Sequence, residues 1–162
     1  MIFLSSLGIK FTPEQVVTEI IGFMRSAPDC AYKITLGTDS LKLAGTNADF
    51  VTAIVVHRVG RGGRYFWRRI EMDRFYTMRD RIMQEVLMSL DIAKNFIALL
   101  ENAKKTNALV PRYDFEIHID VGENGATKAM IQELVGMVRA NNFEAKTKPE
   151  SYAASNVADK HT

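Results

Sequence analysis

The chain has 162 residues, of which 47% are hydrophobic and 25% charged, and its formal net charge is +2. These values predict one soluble globular domain and exclude a disordered or fibrous protein, and the charge is too small to indicate nucleic-acid binding by itself. The single cysteine, Cys30, excludes an internal disulfide, and no run is long and apolar enough to span a membrane. Because the N-terminal residues also lack a signal-peptide pattern, we expect a cytoplasmic protein with no membrane association.

The first half of the chain predicts one helix followed by three strands. Thr12, Pro13 and Gln15 form a helix start, with a threonine cap, a proline in the first turn and a glutamine three residues after the cap. Apolar residues then recur at helical spacing as far as Met24. Alternating polar and apolar residues predict strands at about 31–38, 49–59 and 64–72, and the glycines of 60–63 predict a hairpin between the last two.

The second half alternates helices with strands. The pattern predicts a long helix at 77–102, a loop at 104–112, a fourth strand at 113–121, a helix at 127–140, a short fifth strand at 143–148 and a helical tail at 151–162. A hairpin followed by alternating helices and strands indicates an α/β protein with a mixed sheet. The right-handed crossover rule places the fourth strand parallel to the first.

Two aspartates lie near the ends of these two strands. Asp39 follows the first strand, Asp120 lies in the fourth, and alternation puts both on polar strand faces. If the strands are parallel neighbours, the two carboxylates emerge side by side, because adjacent strands are ~4.8 Å apart. Such a pair can hold a hard divalent cation against a phosphate.

Two further acids extend this hypothesis. Glu85 lies on the edge of the apolar stripe of the long helix, where a charge needs a partner, and Asp159 lies in the tail two residues before His161. Taken singly, each of the four acids is better explained as a turn, boundary or surface residue. The hypothesis of a metal site depends on all four fitting one architecture.

The chain resembles the YkuK-type family of uncharacterised bacterial proteins, which are expected to be ribonuclease H-like nucleases. The resemblance covers about residues 12–162. It is carried by GTDS at 37–40, FVTAIVVH at 50–57, RYF at 64–66, EIHID at 116–120, GM at 136–137 and KPESYAASNVADKH at 148–161. It implies a ribonuclease H-like five-stranded mixed sheet in the order 3-2-1-4-5, flanked by helices. Residues 30–162 would form this domain, and residues 1–29 would be an N-terminal helical extension.

The resemblance also implies a function. Asp39, Glu85, Asp120 and Asp159 occupy the places of the metal-binding acids, so the chain would be a Mg²⁺- or Mn²⁺-dependent nuclease that hydrolyses phosphodiester bonds with two metal ions. His161 would place the water or release product, an arrangement similar to that of Holliday-junction resolvases. Two alternatives stay open: a catalytically inactive ribonuclease H-like module that binds nucleic acid, and an enzyme that acts on nucleotide phosphates.

Several residues are candidates for contact with DNA or RNA. Arginines interleaved with aromatic residues between 58 and 69 indicate a ribbon that follows a phosphate backbone and stacks a base, or equally a hairpin with solvated arginines and core aromatics. Lysines near the predicted acids are further candidates. The substrate-binding set is Ser40, Arg64, Trp67, Lys128 and Lys148.

Overall fold

The computed structural model describes residues 1–106 and 109–162. Its strands form one seven-stranded sheet, numbered here in chain order. The strands are β1 (Phe3–Ser5), β2 (Lys10–Phe11), β3 (Tyr32–Lys42), β4 (Ala48–Arg58), β5 (Gly63–Met72), β6 (Tyr113–His118) and β7 (Glu144–Lys146). The helices are α1 (Pro13–Arg25), α2 (Met78–Thr106) and α3 (Ile131–Ala140), the last preceded by a 3₁₀ turn at Lys128–Met130.

The order of strands in the sheet is β2-β1-β5-β4-β3-β6-β7. The five strands predicted from the sequence are β3 to β7, and their predicted order is confirmed. β3, β4 and β5 form an antiparallel meander, whereas β6 pairs parallel with β3 and β7 pairs parallel with β6. The fold is therefore the predicted mixed α/β sheet, with seven strands instead of five.

The two additional strands come from the N-terminal residues. β1 and β2 form a small antiparallel hairpin, and β1 pairs with β5, so the hairpin extends the meander edge of the sheet. Phe3 of this hairpin is fully buried and its ring packs edge-on against Phe96 of α2. The division of the chain at residue 29 stays a prediction; β1, β2 and α1 contribute to the same core as the rest of the chain.

The helix boundaries follow the local signals closely. Thr12 Oγ1 accepts a hydrogen bond from the Gln15 backbone N–H, and the Gln15 side chain accepts one from the Thr12 backbone N–H, which is the predicted capping box. The long helix continues further than predicted, because residues 104–106 of the predicted loop are helical. Residues 107 and 108 of that loop lie outside the described part of the chain.

The two faces of the sheet are covered by different elements. Buried apolar residues of α1, α2 and α3 pack with β3, β4 and β6 in one large core. The opposite face receives the C-terminal segment, residues 151–162, which contains a π-helical stretch, Ala153–Ala158, and a 3₁₀ turn, Asp159–His161. Ala158 of this segment is buried against Val51 and Ala53 of β4. Within the described residues, no helix combines the length and apolarity required to cross a membrane.

Candidate active site

The first two acids lie near the same end of two neighbouring parallel strands: Asp39 is in β3, and Asp120 comes two residues after the end of β6. β3 and β6 are paired from Tyr32 with Tyr113 to Gly37 with His118. Asp39 and Asp120 each lie two residues beyond that last pair, and alternation along β3 puts Asp39 on the face of Gly37, which carries the C-terminal segment. The adjacency that the sequence required for these two aspartates is therefore present. Both side chains are partly exposed.

Glu85 approaches the same end of β3 from α2. Its side chain is buried, with 6% exposure, and its Oε1 accepts a hydrogen bond of 2.6 Å from the Ser40 hydroxyl. Arg81, one turn earlier on α2, donates from Nη1 to the Ser40 carbonyl (3.1 Å) and to Ser40 Oγ (3.2 Å). Ser40 thus links the carboxylate of Glu85 to the guanidinium of Arg81 and fixes both against β3.

A buried chain of hydroxyls supports this end of the strand. Thr38 Oγ1 lies 2.9 Å from Thr52 Oγ1 of β4 and 2.8 Å from Ser89 Oγ of α2. All three side chains are buried. Because each hydroxyl can donate one hydrogen bond and accept others, these three buried hydroxyls satisfy one another's hydrogen-bonding capacity without a charged group. It ties β4, β3 and α2 together directly behind Asp39.

The acids influence one another electrostatically. Burial, and then the negative charges of Asp120 and Asp159, raise the pKa of Asp39 from 3.8 to about 6, partly offset by a backbone hydrogen bond at Ser40 and by the charge of Lys148. Burial is also the main reason why the pKa of Glu85 is raised from 4.5 to about 8, with contributions of the same sign from Asp39 and Asp120. The Ser40 hydrogen bond and the charge of Arg81 act in the opposite direction. The four carboxylates thus share one region of negative potential.

Lys148 forms an ion pair with Asp120. Its Nζ lies 3.1 Å from Asp120 Oδ1, and its backbone N–H donates to the Val121 carbonyl at 2.8 Å. Half of the Lys148 side chain is exposed, so this is a solvent-accessible ion pair. Lys148 also lines an open cavity of about 600 Å³, together with Gly122, Glu123, Asn124 and Thr147.

The C-terminal segment brings Asp159 to the region. Asp159 is exposed, but its charge contributes to the raised pKa of Asp39. His161 stacks on Trp67, with ring centroids 4.2 Å apart and an angle of 8° between the planes. Its Nε2 lies 3.4 Å from the Tyr65 hydroxyl. The described contacts of His161 are therefore with β5, which places it beside aromatic residues.

The other predicted substrate contacts are distributed over both faces of the sheet. Arg64 points to the α1 side, where its guanidinium lies 3.4 Å from Glu19 and 5.2 Å from the Phe23 ring centroid. Trp67 points to the opposite face and packs with Val51, Ala53 and Ala158. Lys128 is exposed in the turn before α3. The structure thus gathers Ser40 and Lys148 beside the acids, separates Arg64 from Trp67 and covers one face of Trp67 with His161.

Arg81 lies beside the acids and was not predicted from the sequence, and one contact of His118 was not predicted either. Arg81 precedes Glu85 by four residues, the spacing that places two side chains on one helix face, so its position could have been recognised. His118 shares a strand face with Asp120 in the sequence pattern, so it could be a polar partner of that acid or simply a buried polar residue. Its Nδ1 accepts a hydrogen bond of 3.1 Å from the Ala153 backbone N–H, and this contact to the C-terminal segment has no local sequence signal.

The donor chemistry of the four acids fits Mg²⁺ or Mn²⁺, because these cations prefer carboxylate oxygens. Burial and then the neighbouring acids raise the pKa values of Asp39 and Glu85, and a bound cation would offset both effects. Within residues 1–106 and 109–162, however, no three His, Cys, Asp or Glu side chains are already gathered as a metal-binding cluster. The acids therefore suit a divalent cation by type and charge, without forming a complete ligand shell.

Comparison with known proteins places the chain in context. The model of the family described as "Ribonuclease H-like" matches residues 15–162. The chain is similar to a protein of Bacillus subtilis (strain 168) described as uncharacterized protein YkuK, with 30% identity over 162 residues. That alignment covers 94% of this chain and 92% of the Bacillus protein. No solved structure shows significant similarity to the chain.

Proposed function

Because the chain belongs to the ribonuclease H-like family, and within it to the YkuK-type proteins, we propose that it is a divalent-metal-dependent nuclease that hydrolyses phosphodiester bonds. The family relationship alone suggests a nuclease or a nucleic-acid-binding module. The observation that supports a nuclease is that Asp39 and Glu85 both have raised pKa values, first because they are buried and then because other acids are near: Asp120 and Asp159 act on Asp39, and Asp39 and Asp120 act on Glu85. Clustered acids with perturbed pKa values are typical of functional sites.

The residues of the chain have distinct roles in this proposal. Asp39 is the central ligand because it is affected by the charges of both Asp120 and Asp159. Glu85 is a buried ligand whose carboxylate is oriented by the Ser40 hydroxyl. Asp120 and the exposed Asp159 complete the oxygen donors. Bound Mg²⁺ or Mn²⁺ would supply an activated water and charge stabilisation at the leaving 3′ oxygen.

Cationic side chains beside the acids would bind the substrate phosphates. Lys148 is exposed and already lies against Asp120, so a modest movement of its flexible stem brings its ammonium to a phosphate. Arg81 is held on Ser40 and has further donors in its guanidinium. We assign this activity to residues 30–162, and we propose DNA or RNA as the substrate. We also propose a cytoplasmic location, because the single cysteine, Cys30, is free, as is usual in a reducing compartment.

A cleavage assay with metal controls tests the proposal. Purified protein is incubated with labelled single-stranded and double-stranded DNA, RNA and RNA–DNA hybrids, with Mg²⁺, with Mn²⁺ and with a chelator. We expect metal-dependent cleavage that Asp39→Asn and Asp120→Asn abolish. Asp29→Asn serves as the matched control, because Asp29 is exposed in the turn after α1. Cleavage that persists in Asp39→Asn would refute the assignment.

One observation favours a second function, a nucleic-acid-binding module without turnover. The ion pair between Lys148 and Asp120 already neutralises one acid, and the described residues contain no gathered metal cluster. Such a module predicts binding that weakens steeply with salt, because phosphate contacts release counterions. It also predicts that Lys148→Met reduces affinity while Asp39→Asn does not.

A further inference from the structure

The C-terminal segment carries Asp159 but has little apolar surface of its own. Its fully buried side chains are those of Ser151, Ala153, Ala154 and Ala158. Burial of an alanine methyl stabilises a protein far less than burial of a leucine or phenylalanine, because the hydrophobic contribution scales with apolar area. Specific contacts must therefore supply much of the energy that keeps this segment on the sheet.

The first specific contact involves His118. This residue is 1% exposed, and its Nδ1 accepts the Ala153 backbone N–H at 3.1 Å. Since Nδ1 accepts, the neutral ring carries its proton on Nε2, which lies 3.1 Å from Glu116 Oε2 and donates to it. Glu116 Oε1 in turn lies 3.0 Å from Lys33 Nζ. The chain from Lys33 through Glu116 fixes both the orientation and the tautomer of His118.

The segment also approaches the sheet backbone closely at this point. A Cβ atom on Gly37 would lie 2.6 Å from the Ala154 backbone nitrogen, well inside contact distance. The Tyr152 ring packs edge-on against the His118 ring, with centroids 4.7 Å apart. The start of the segment is therefore fitted to β3 and β6 by shape as well as by a hydrogen bond.

The second specific contact lies at the other end of the segment. The His161 ring stacks nearly parallel on Trp67 and its Nε2 lies near the Tyr65 hydroxyl. Aromatic stacking of this kind contributes about 0.5–1.5 kcal/mol beyond the area it buries. Asp159 lies between the two contacts, six residues after Ala153 and two before His161.

From this geometry we propose that His118 and Trp67 are positioning residues: together they hold the C-terminal segment on the sheet and thereby place Asp159 beside Asp39. The metal-related part of this inference rests on the proposed function. This proposal changes the expected roles of two residues. His161 would hold the C-terminal segment on the sheet instead of placing the water. Trp67 would bind the His161 ring instead of stacking on a base.

The test uses two readouts of docking that are independent of activity. Trp67 is the only tryptophan, so its fluorescence reports the stacking of His161 directly. Carboxypeptidase digestion, followed by mass spectrometry, measures how readily the last residues are released. The affinity for Mn²⁺, measured by electron paramagnetic resonance, reports the effect on the acids. Circular dichroism verifies that each variant is folded.

The variants separate the hydrogen bond from the ring. His118→Phe retains an aromatic ring but leaves the Ala153 N–H without a partner, and we expect release of the tail to accelerate and Mn²⁺ affinity to fall, each by about tenfold. His118→Asn retains an acceptor close to the position of Nδ1 and should restore most of both properties. His57→Phe is the matched control, since His57 lies on the same sheet face and its ring contacts Tyr152 at 6.2 Å. His161→Ala removes a half-buried ring from the last 3₁₀ turn and should alter Trp67 emission without affecting the fold of the sheet.

Each outcome bears on the proposal. The proposal would be overturned if His118→Phe and His161→Ala were both digested at the wild-type rate and both showed wild-type Trp67 fluorescence. Faster digestion with unchanged Mn²⁺ affinity, in a protein whose Asp39→Asn variant loses that affinity, would overturn the positioning of Asp159. If the wild-type protein binds no Mn²⁺, the proposed nuclease function fails, while digestion and fluorescence still decide whether His118 and Trp67 hold the segment.

Discussion

Asp39 lies two residues beyond Gly37 on β3, and Asp120 lies two residues beyond His118 on β6, the residue paired with Gly37. The two carboxylates are therefore brought together by the register of one parallel strand pair. A shift of one residue in that register would turn one aspartate to the opposite face. The buried hydroxyls of Thr38, Thr52 and Ser89 and the core of β3 oppose such a shift, so the candidate site depends on the rigid centre of the sheet.

This pairing predicts opposite effects of Asp39→Asn on stability and on activity. Burial and the charges of Asp120 and Asp159 raise the pKa of Asp39 from 3.8 to about 6, so its ionisation at neutral pH costs the folded, metal-free protein more free energy than it costs the unfolded chain. Removal of the charge should increase the free energy of unfolding by about 1 kcal/mol at pH 7. Chemical denaturation in the presence of a chelator measures this change.

Asp29→Asn is the control, because it removes a charge from an exposed turn. We expect that variant to retain wild-type stability and wild-type metal affinity. Asp39→Asn should instead be more stable than the wild type in chelator and gain little from added Mg²⁺ or Mn²⁺. A destabilised Asp39→Asn protein would contradict the view that the acids repel one another.

A second prediction concerns the pH dependence of stability. The pKa of Glu85 is raised from 4.5 to about 8, so the folded protein retains a proton in a pH range where the unfolded chain has lost it. Because the folded state then binds more protons, the free energy of unfolding falls as the pH rises through this range. Between pH 6.5 and 8, we expect the free energy of unfolding of the metal-free protein to fall by about 1–2 kcal/mol because Glu85 loses its proton.

Between pH 6.5 and 8, the change in stability comes mainly from Glu85, because Asp39 and His118 act mainly at lower pH. Asp39 contributes a loss of the same sign, but below its raised pKa of about 6. Burial lowers the pKa of His118 below 6.5, which costs stability only as the pH falls below that value. Glu85→Gln preserves an acceptor for the Ser40 hydroxyl, and it should remove the slope between pH 6.5 and 8 in urea titrations. A slope that survives in this variant would exclude Glu85 as its source.

The strands of the sheet were predictable from local patterns, whereas their order was implied by the family resemblance. Sequence patterns indicate β3 to β7, and the right-handed crossover rule makes β6 parallel to β3. β1 and β2 were not predicted, since strands of three and two residues carry no useful periodicity. They are stabilised by pairing with β5 and by burial of Phe3, which are tertiary effects.

The candidate site was predictable only in part, for a similar reason. Helix periodicity placed Glu85 at the edge of the buried stripe, but its burial depends on a hydrogen bond from Ser40, 45 residues earlier in the chain. The stacking of His161 on Trp67 joins two residues that are even further apart in sequence. Contacts of this kind are created by the fold, so they have no local signal in the sequence.

A third prediction uses the glycines as a matched pair. A methyl group at Gly37 would collide with the backbone of Ala154, so Gly37→Ala should cost about 1–3 kcal/mol or displace the C-terminal segment. Gly22 lies on the exposed side of α1, with nothing within 4 Å of an added Cβ atom, and Gly22→Ala should stabilise by about 0.5–1 kcal/mol. Thermal unfolding and Trp67 emission measure both effects. A neutral Gly37→Ala variant would show that the segment does not pack against β3 in solution.

The last prediction concerns Lys148, whose ammonium lies 3.1 Å from Asp120 Oδ1 and so competes with any divalent cation for that oxygen. Lys148→Met retains the length of the stem and removes the charge, so we expect Mn²⁺ to bind severalfold more tightly while nucleic acid binds more weakly. Lys128→Met is the comparison, because Lys128 is exposed and its described contacts do not include the acids. That variant should weaken nucleic-acid binding and leave Mn²⁺ affinity unchanged. Weaker Mn²⁺ binding by Lys148→Met would mean that the lysine orders Asp120 for the cation, since competition and ordering by the same ion pair change the affinity in opposite directions.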